Sequence, residues 1–445
     1  MEPDSEIFCQ TGQTLFRRAA QNYFDQNWST GIAKDDGLID LFAGQLSFAF
    51  KDRFFIAIPV YAGDLLLGNY LESLLPAFKK KPFNICVFLN ATTGICSVQE
   101  FENAYRYNSR VIAQFNERWG FNTATLLAAH LSGTVSMGRV RKILVDTVII
   151  YSLAEEIDDP VIICNDVDQI GASPDYLMSI AQLLSKGVVP VFVAGPVGYG
   201  YYGSTASGLP PGVHVPELYL FNRVQNAINY CTREGLIGLG GRSIWPEGTN
   251  LAFTGSAYCS AGGFNPQVPN GEDDAMGFAL SKLWHNSNTT QAGKSPWGEP
   301  AYEYSAWVVT DPRRVLSAIR SGRTGIEAWA WQSFTENPGS DFDTASLAVE
   351  CEQAPWLLQT KQFKNLSTEE RNETWERVTS RIGWLFSRSV VFDRRTRNFE
   401  QFKKVAAIFG LEVSDGILSY EPLEFEVVID WDKSTILKEL INIFQ

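Results

Sequence analysis

The chemistry in this sequence is concentrated where an apolar run stops. Val161-Ile162-Ile163-Cys164 is followed at once by Asn165-Asp166-Val167-Asp168. The run reads as a strand covered on both faces, and the two carboxylates stand just past it. Ligands of open α/β sheets bind outside the carboxyl ends of strands. In an extended segment, side chains at i and i+2 point the same way, so Asp166 and Asp168 are expected to converge on one ion. Hard oxygen donors of this kind suit Mg²⁺ or Mn²⁺, which keep waters and share their remaining positions with phosphates. The plainer alternative is a loop whose acids cap a helix starting near Ser173-Pro174-Asp175.

A second group lies about a hundred residues on, where Gly262-Gly263-Phe264 precedes Gly271-Glu272-Asp273-Asp274. Negative charge at a helix start complements the dipole and caps free N–H groups, but that would need only one acid. Three adjacent carboxylates repel one another, which raises the pKa of at least one and prepares it for proton transfer. The paired glycines let a backbone or a substrate come close. Together they fit a general base beside a hydroxyl acceptor.

The elements that must position these groups alternate. Strands are expected at 54–60, 84–89, 122–131, 161–164 and 188–193, and helices at 64–78, 98–117, 136–156 and 174–186. Such spacing means βαβ units, an α/β fold and a mostly parallel sheet. The stretch 195–213 breaks the pattern with six glycines among Tyr199, Tyr201 and Tyr202, and reads either as a solvated excursion or as a substrate cover. From about 340 the chain turns helical with strong charge patterning, as an accessory region would.

Composition removes several classes. The chain has 445 residues, 45% of them hydrophobic, which is enough for one large core or two to three smaller ones. A net charge of −13 argues against a nucleic-acid or anionic-membrane partner held by bulk charge. The seven cysteines are odd in number, scattered and without a Cys-x-x-Cys pair, so they read as reduced core residues of a cytoplasmic protein. The first residues lack a basic region followed by an apolar core, and the apolar stretch at 143–153 is too short to span a bilayer. No integral membrane segment is expected.

Four ordered segments resemble the family-two glycosyltransferases, whose GT-A fold is a Rossmann-like nucleotide-binding sheet. Ile56 to Tyr61, with Leu71-Glu72-Ser73-Leu74-Leu75, is similar to the family's opening nucleotide-binding strand and helix. Met137-Gly138-Arg139-Val140-Arg141-Lys142 resembles its Gly-x-Ala-Arg-Asn helix start. Asp166-Val167-Asp168 stands where its Asp-x-Asp belongs, and Gly262-Gly263-Phe264 with Glu272-Asp273-Asp274 resembles its acceptor frame and base. A fifth segment, Trp307 to Arg314, looks like the strand and Arg-Arg turn that follow. The match spans about 54–325.

The resemblance implies transfer of a single sugar from a UDP-, GDP- or dTDP-linked donor to a hydroxyl-bearing acceptor, with inversion. Asp168 and, less directly, Asp166 would hold Mn²⁺ or Mg²⁺ against the donor diphosphate, with His285 as a further ligand. Asp273 would be the base, with Asp274 or Glu272 as substitutes. Pro59, Val60, Tyr61, Asn90, Arg141 and Asp166 would meet the donor, and Gly262, Gly263 and Trp245 the acceptor. Arg141 is a candidate donor-phosphate contact; the plain alternative is a solvated helix-face charge.

Where many members carry an Asp after the second strand, this chain has Asn90, and the processive Gln-x-x-Arg-Trp signature is absent; Trp329-Ala330-Trp331-Gln332 occupies that region. Tryptophans 245, 297, 329 and 331 could stack on sugars, although packing is their default use. His130 and His214 carry weaker signals than His285.

The expected organisation is an N-terminal helical extension over 1–50, a GT-A domain over 51–335 and a mainly helical C-terminal region over 336–445. Two alternatives stand beside the transferase. A nucleotidyltransferase would share the sheet and the metal but lacks a use for Gly-Gly-Phe and a Glu-Asp base. A silent nucleotide-sugar-binding protein would keep the fold and lose the base. Homo-oligomer formation is left open.

Overall fold

The computed structural model describes residues 4–29, 35–133, 135–185, 187–195, 197–199, 248–268, 271–289, 295–303 and 305–310. Residues 1–196 with 246–308 form one compact unit, and 197–245 with 309–445 form a second. The sheet and the acidic residues of interest belong to the first. Most of the 195–213 stretch, His214, Trp245, Trp329, Trp331, the Arg-Arg turn after Thr310 and the helical region expected over 336–445 lie outside the described residues.

The first unit opens with two helices, α1 (Asp4–Ser29) and α2 (Asp36–Gln45). Strands and helices then alternate through β1 (Phe54–Tyr61), α3 (Leu67–Lys80), β2 (Asn84–Thr92), α4 (Val98–Trp119), β3 (Ala124–Leu131), α5 (Met137–Ala154) and β4 (Val161–Cys164). After these come β5 (Gln169–Ala172), α6 (Tyr176–Leu183), β6 (Val193–Ala194), β7 (Leu251–Thr254), α7 (Gly255–Ala261), α8 (Glu272–Thr289) and β8 (Ala301–Tyr302). Among the described residues, seven strands form one sheet in the order β3-β2-β1-β4-β7-β6-β8. β1 lies parallel to β2 and β4, and β2 parallel to β3, whereas β7 runs antiparallel to both β4 and β6. This is an α/β, mostly parallel, helix-flanked sheet with a Rossmann-like β3-β2-β1-β4 half.

The reason is visible strand by strand. β2 is buried from Asn84 to Ala91 and β4 along its whole length, so both need cover on two faces, which crossover helices supply. α5 packs on β1 and β2, and α4 on β3. Helix α4 is bounded by clear signals: Ser97 and Glu100 form a capping box, and Gly120 ends the helix in the left-handed region. Pro59 is tolerated in a central strand because β4 reaches only to Cys164, opposite Ala57. Beyond that point β1 has no β4 ladder for a missing N–H to interrupt.

Two local expectations are corrected. The run 188–193 is a strand only at its last residue, continuing to Ala194, and Val188 is 72% exposed. Gly298, not a strand neighbour, pairs with Pro190 and receives the Val191 N–H. The antiparallel strand β7, which lies between β4 and β6, was not expected at all.

Candidate functional site

β4 delivers its polar residues abruptly. Asn165 is fully buried and knits the strand end together: its amide donates to Tyr176 Oη and to the Thr249 carbonyl, both at 2.7 Å, while its Oδ1 accepts from Tyr70 Oη at 2.8 Å. Residues 166–169 then form a turn in which the Gln169 N–H reaches the Asp166 carbonyl at 3.2 Å. Asp166 and Asp168 are therefore turn residues rather than alternate positions of an extended strand. Asp166 keeps 28% of its side chain exposed, whereas Asp168 is buried and engaged.

Arg141 joins this turn to the second acidic group. It lies in the second turn of α5, behind an N-cap in which Ser136 accepts from the Arg139 N–H. Its side chain is 3% exposed, with Nη2 2.6 Å from Asp166 Oδ1 and Nε 2.7 Å from Glu272 Oε1. Asp273 lies beside them: its Oδ2 accepts from the Gly248 N–H at 2.6 Å and its Oδ1 from the Asp274 N–H at 2.9 Å. One guanidinium thus sits among carboxylates that come from positions 166, 272 and 273. It is not a solvated helix-face charge.

The electrostatics follow from that ratio. Burial opposes the Arg141 charge, but Asp166 and Glu272 outweigh it and hold the guanidinium above its usual pKa. The two carboxylates from α8 fare differently, because they are withdrawn from water, share one cation with Asp166 and repel each other. Burial, with the charge of Asp273 adding to it, pushes Glu272 up to about 7 against the pull of Arg141. Asp273 is also raised by burial, opposed by Arg141 and by the hydrogen bonds from Gly248 and Asp274. A carboxyl at the level of Glu272 suits proton transfer near neutral pH.

Gly262 and Gly263 have a structural reason of their own. They end α7 with φ of 93° and 71°, and their N–H groups return to the carbonyls of Cys259 and Tyr258. A Cβ at Gly263 would stand 2.3 Å from Tyr23 Oη of α1. Tyr23 belongs to a buried network in which Asp146 accepts from Tyr258 Oη at 2.8 Å and from Lys142 Nζ at 2.6 Å. Tyr23 Oη also donates to Asp146 at 3.0 Å and accepts from Lys142. Phe264, buried, donates its N–H to Tyr258 Oη at 3.3 Å.

The remaining residues singled out in the sequence are placed as follows. Pro59 and Val60 are buried in β1, and Tyr61 ends that strand half-buried. Asn90 is buried, its amide donating to the Val60 carbonyl at 3.0 Å, so its side chain ties β2 to β1. Asp274 is buried and partnered. His285 lies not one helix beyond Asp273 but on the same helix, α8, twelve positions further along, with its side chain outside the described residues. His130 stacks on Phe101, ring centroids 5.3 Å apart. Among the described residues no group of three or more His, Cys, Asp or Glu converges as a metal-ligand set. Sequence reading missed Asn165 and Gly248; a polar residue ending a buried apolar run was the available signal for Asn165, and nothing marked Gly248.

No protein-family model matches the chain, and no curated protein matches it. Among solved structures it is similar to a mycobacterial protein at 12% identity and a TM-score of 0.30, covering 61% of this chain and 75% of that one. It is also similar, at 12% identity and a TM-score of 0.34, to glucosyl-3-phosphoglycerate synthase from Mycobacterium tuberculosis, covering 71% of this chain and 83% of that one. That structure is a complex with Mn²⁺, UDP-glucose and phosphoglyceric acid.

Proposed function

We propose that the protein is a metal-dependent glycosyltransferase that moves a single sugar from a nucleoside-diphosphate sugar to an acceptor hydroxyl, with inversion. The observation that carries this reading is the convergence on Arg141 of the turn after β4 and the first turn of α8, through contacts of 2.6 and 2.7 Å. The residues matched to donor activation and those matched to acceptor activation share one buried cation, although they lie far apart in the chain.

A hard divalent cation fits the donors present. Three carboxylates face one guanidinium, leaving surplus negative charge, and Asp166 offers a partly exposed carboxylate at the rim. Asp166 and Asp168 would hold the ion, in the manner of sites that use one or two carboxylates and leave the remaining positions to water and substrate phosphates. When bound, the ion would supply charge neutralisation for the departing diphosphate.

The rest is the work of the chain itself. Asp273 accepts the proton of the acceptor hydroxyl as the oxygen attacks the anomeric carbon in line, and its two backbone hydrogen bonds fix the carboxylate plane. Arg141 keeps Glu272 and Asp166 in place and limits the repulsion on Asp273. The Gly262-Gly263-Phe264 turn borders the acceptor side.

Purified protein with Mn²⁺ and a panel of UDP-, GDP- and dTDP-sugars is expected to hydrolyse one donor slowly in the absence of acceptor. Asp168→Ala should abolish metal-dependent donor binding, while Asp273→Asn should bind donor normally and lose transfer. Tight nucleotide binding with no turnover of any donor would favour a silent binding protein. Retention at the anomeric centre, read by NMR, would remove Asp273 from the role of base.

A further inference from the structure

Gly248 touches both halves of the acidic cluster with a backbone alone. Its N–H donates to Asp273 Oδ2 at 2.6 Å. A Cβ built on it would stand 2.4 Å from Arg141 Nη2, 3.1 Å from Arg141 Cζ and 3.1 Å from Asp273 Oδ2. Its φ lies outside the left-handed region, so the backbone there is one that any residue can adopt. The demand for glycine is a demand for space, made by the guanidinium lying against the main chain.

The segment that carries Gly248 is fixed on the side away from Asp273. The Thr249 carbonyl accepts from Asn165 Nδ2 at 2.7 Å, and Asn250 Nδ2 donates to the Ala306 carbonyl at 2.8 Å. Asn165 is the residue before Asp166, so the amide aimed at Asp273 is placed by the same strand end that presents the turn carboxylate. Asp273 Oδ1 meanwhile accepts from the Asp274 N–H. With a backbone donor on each oxygen, the carboxylate cannot turn about its last bond without losing one of them. A hydrogen bond to the ionised form also favours it, against the burial that disfavours it.

We propose that Gly248 is a positioning residue for Asp273: its N–H orients the carboxylate, and its lack of a side chain lets Arg141 reach Asp166 and Glu272 past the main chain. The proposal rests on the reading of Asp273 as the base. It separates two properties of one residue, a donor that every non-proline residue has and a space that only glycine leaves.

The tests use the full-length chain, Mn²⁺ and the nucleotide-sugar that the wild type turns over fastest. Gly248→Ala keeps the N–H but pushes a methyl into the guanidinium. It should lower kcat roughly a hundredfold, the scale expected of an ångström-level misplacement of a reacting group. In an Arg141→Lys background, where the guanidinium is gone, the same substitution should cost under about fivefold, since the methyl no longer meets a planar head group.

A third measurement does not depend on activity. With glycine-selective ¹⁵N labelling, the amide proton of Gly248, assigned by its loss in Gly248→Ala, should move upfield in Asp273→Asn, where a charged acceptor has been replaced by a neutral one.

Wild-type kcat in Gly248→Ala, an equal penalty in both Arg141 backgrounds, or a Gly248 amide that ignores Asp273→Asn would each overturn the proposal. Asp273→Asn keeps the two readings apart. If it retains transfer, the base assignment fails; if it abolishes transfer while Gly248→Ala behaves as wild type, only the positioning role fails.

Discussion

Arg141 is the residue on which the site balances. A buried guanidinium 2.6 Å from one carboxylate and 2.7 Å from another is costly to remove, because what remains is uncompensated negative charge out of water. Arg141→Met is therefore expected to destabilise the protein by about 3–5 kcal/mol, measured as the unfolding free energy in urea, even though Met fills much of the same space. A cost below about 1 kcal/mol, the level of a surface ion pair, would mean that the pair is solvated in solution.

Glu272 makes a pH prediction. Its carboxyl stands at about 7 in the folded protein against an ordinary 4.5, so the folded state holds the proton more tightly than the unfolded chain. The stability it contributes is fully present below about 4.5 and is lost as pH rises through about 7. Glu272→Gln, which resembles the protonated form, should flatten the decline of unfolding free energy across that window. An identical slope in variant and wild type would remove Glu272 as its source.

At this scale the sequence showed the acids and their charge crowding but not their common partner. Residues 141, 166 and 272 meet only because the sheet brings the start of α5, the end of β4 and the start of α8 together, and no local pattern encodes that meeting. Arg141 was read as a donor contact or a solvated charge, and neither reading included an internal ion-pair bridge.

Among the elements, the helix and strand periodicities were legible because burial enforces them: β1, α3, β2, α4, β3, α5 and β4 fall within a few residues of where apolar spacing placed them. β7 was illegible. Four residues, Leu251-Ala252-Phe253-Thr254, run straight into α7, and an antiparallel strand this short has no alternation to read. The double glycine after α7 was visible, and its local cause was not, since Tyr23 lies in the first helix.

That contact gives an element-scale prediction. Gly263→Ala should cost about 1–2 kcal/mol for a left-handed residue gaining a side chain, and about 1–3 kcal/mol for forcing the methyl against Tyr23. Adding Tyr23→Phe removes the nearest atom and should return part of the second share, read as the shift in urea midpoint. If Gly263→Ala costs the same in both backgrounds, α1 does not press on this turn in solution.

For the whole molecule, the acidic balance and the surplus of carboxylates at the cluster point the same way. An ion or nucleotide that binds only the folded state raises the melting temperature in proportion to the logarithm of its concentration over Kd. Mn²⁺ together with UDP, GDP or dTDP is expected to raise the Tm, EDTA to reverse the gain, and Asp168→Ala to abolish it. A wild-type-sized shift in Asp168→Ala would detach the effect from the turn after β4.

The mostly parallel α/β sheet was legible from strands and helices alternating at βαβ spacing, since crossover connections leave a longer trace in sequence than any one site residue. The division of labour proposed for the two acidic groups comes from the ordered resemblance of several segments, not from any local pattern.

The pin between α1 and α7 also has a meaning in time. Tyr23 emerges more than two hundred residues before Tyr258 and Gly263, its burial waits for both, and Asp146 bridges the tyrosines only once all are present. At roughly 5–20 residues per second, the apolar side of α1, with Phe16 and Phe24, stays without its final cover for on the order of ten seconds or more. During that interval the nascent chain carries an unshielded amphipathic helix, the kind of surface that chaperones recognise.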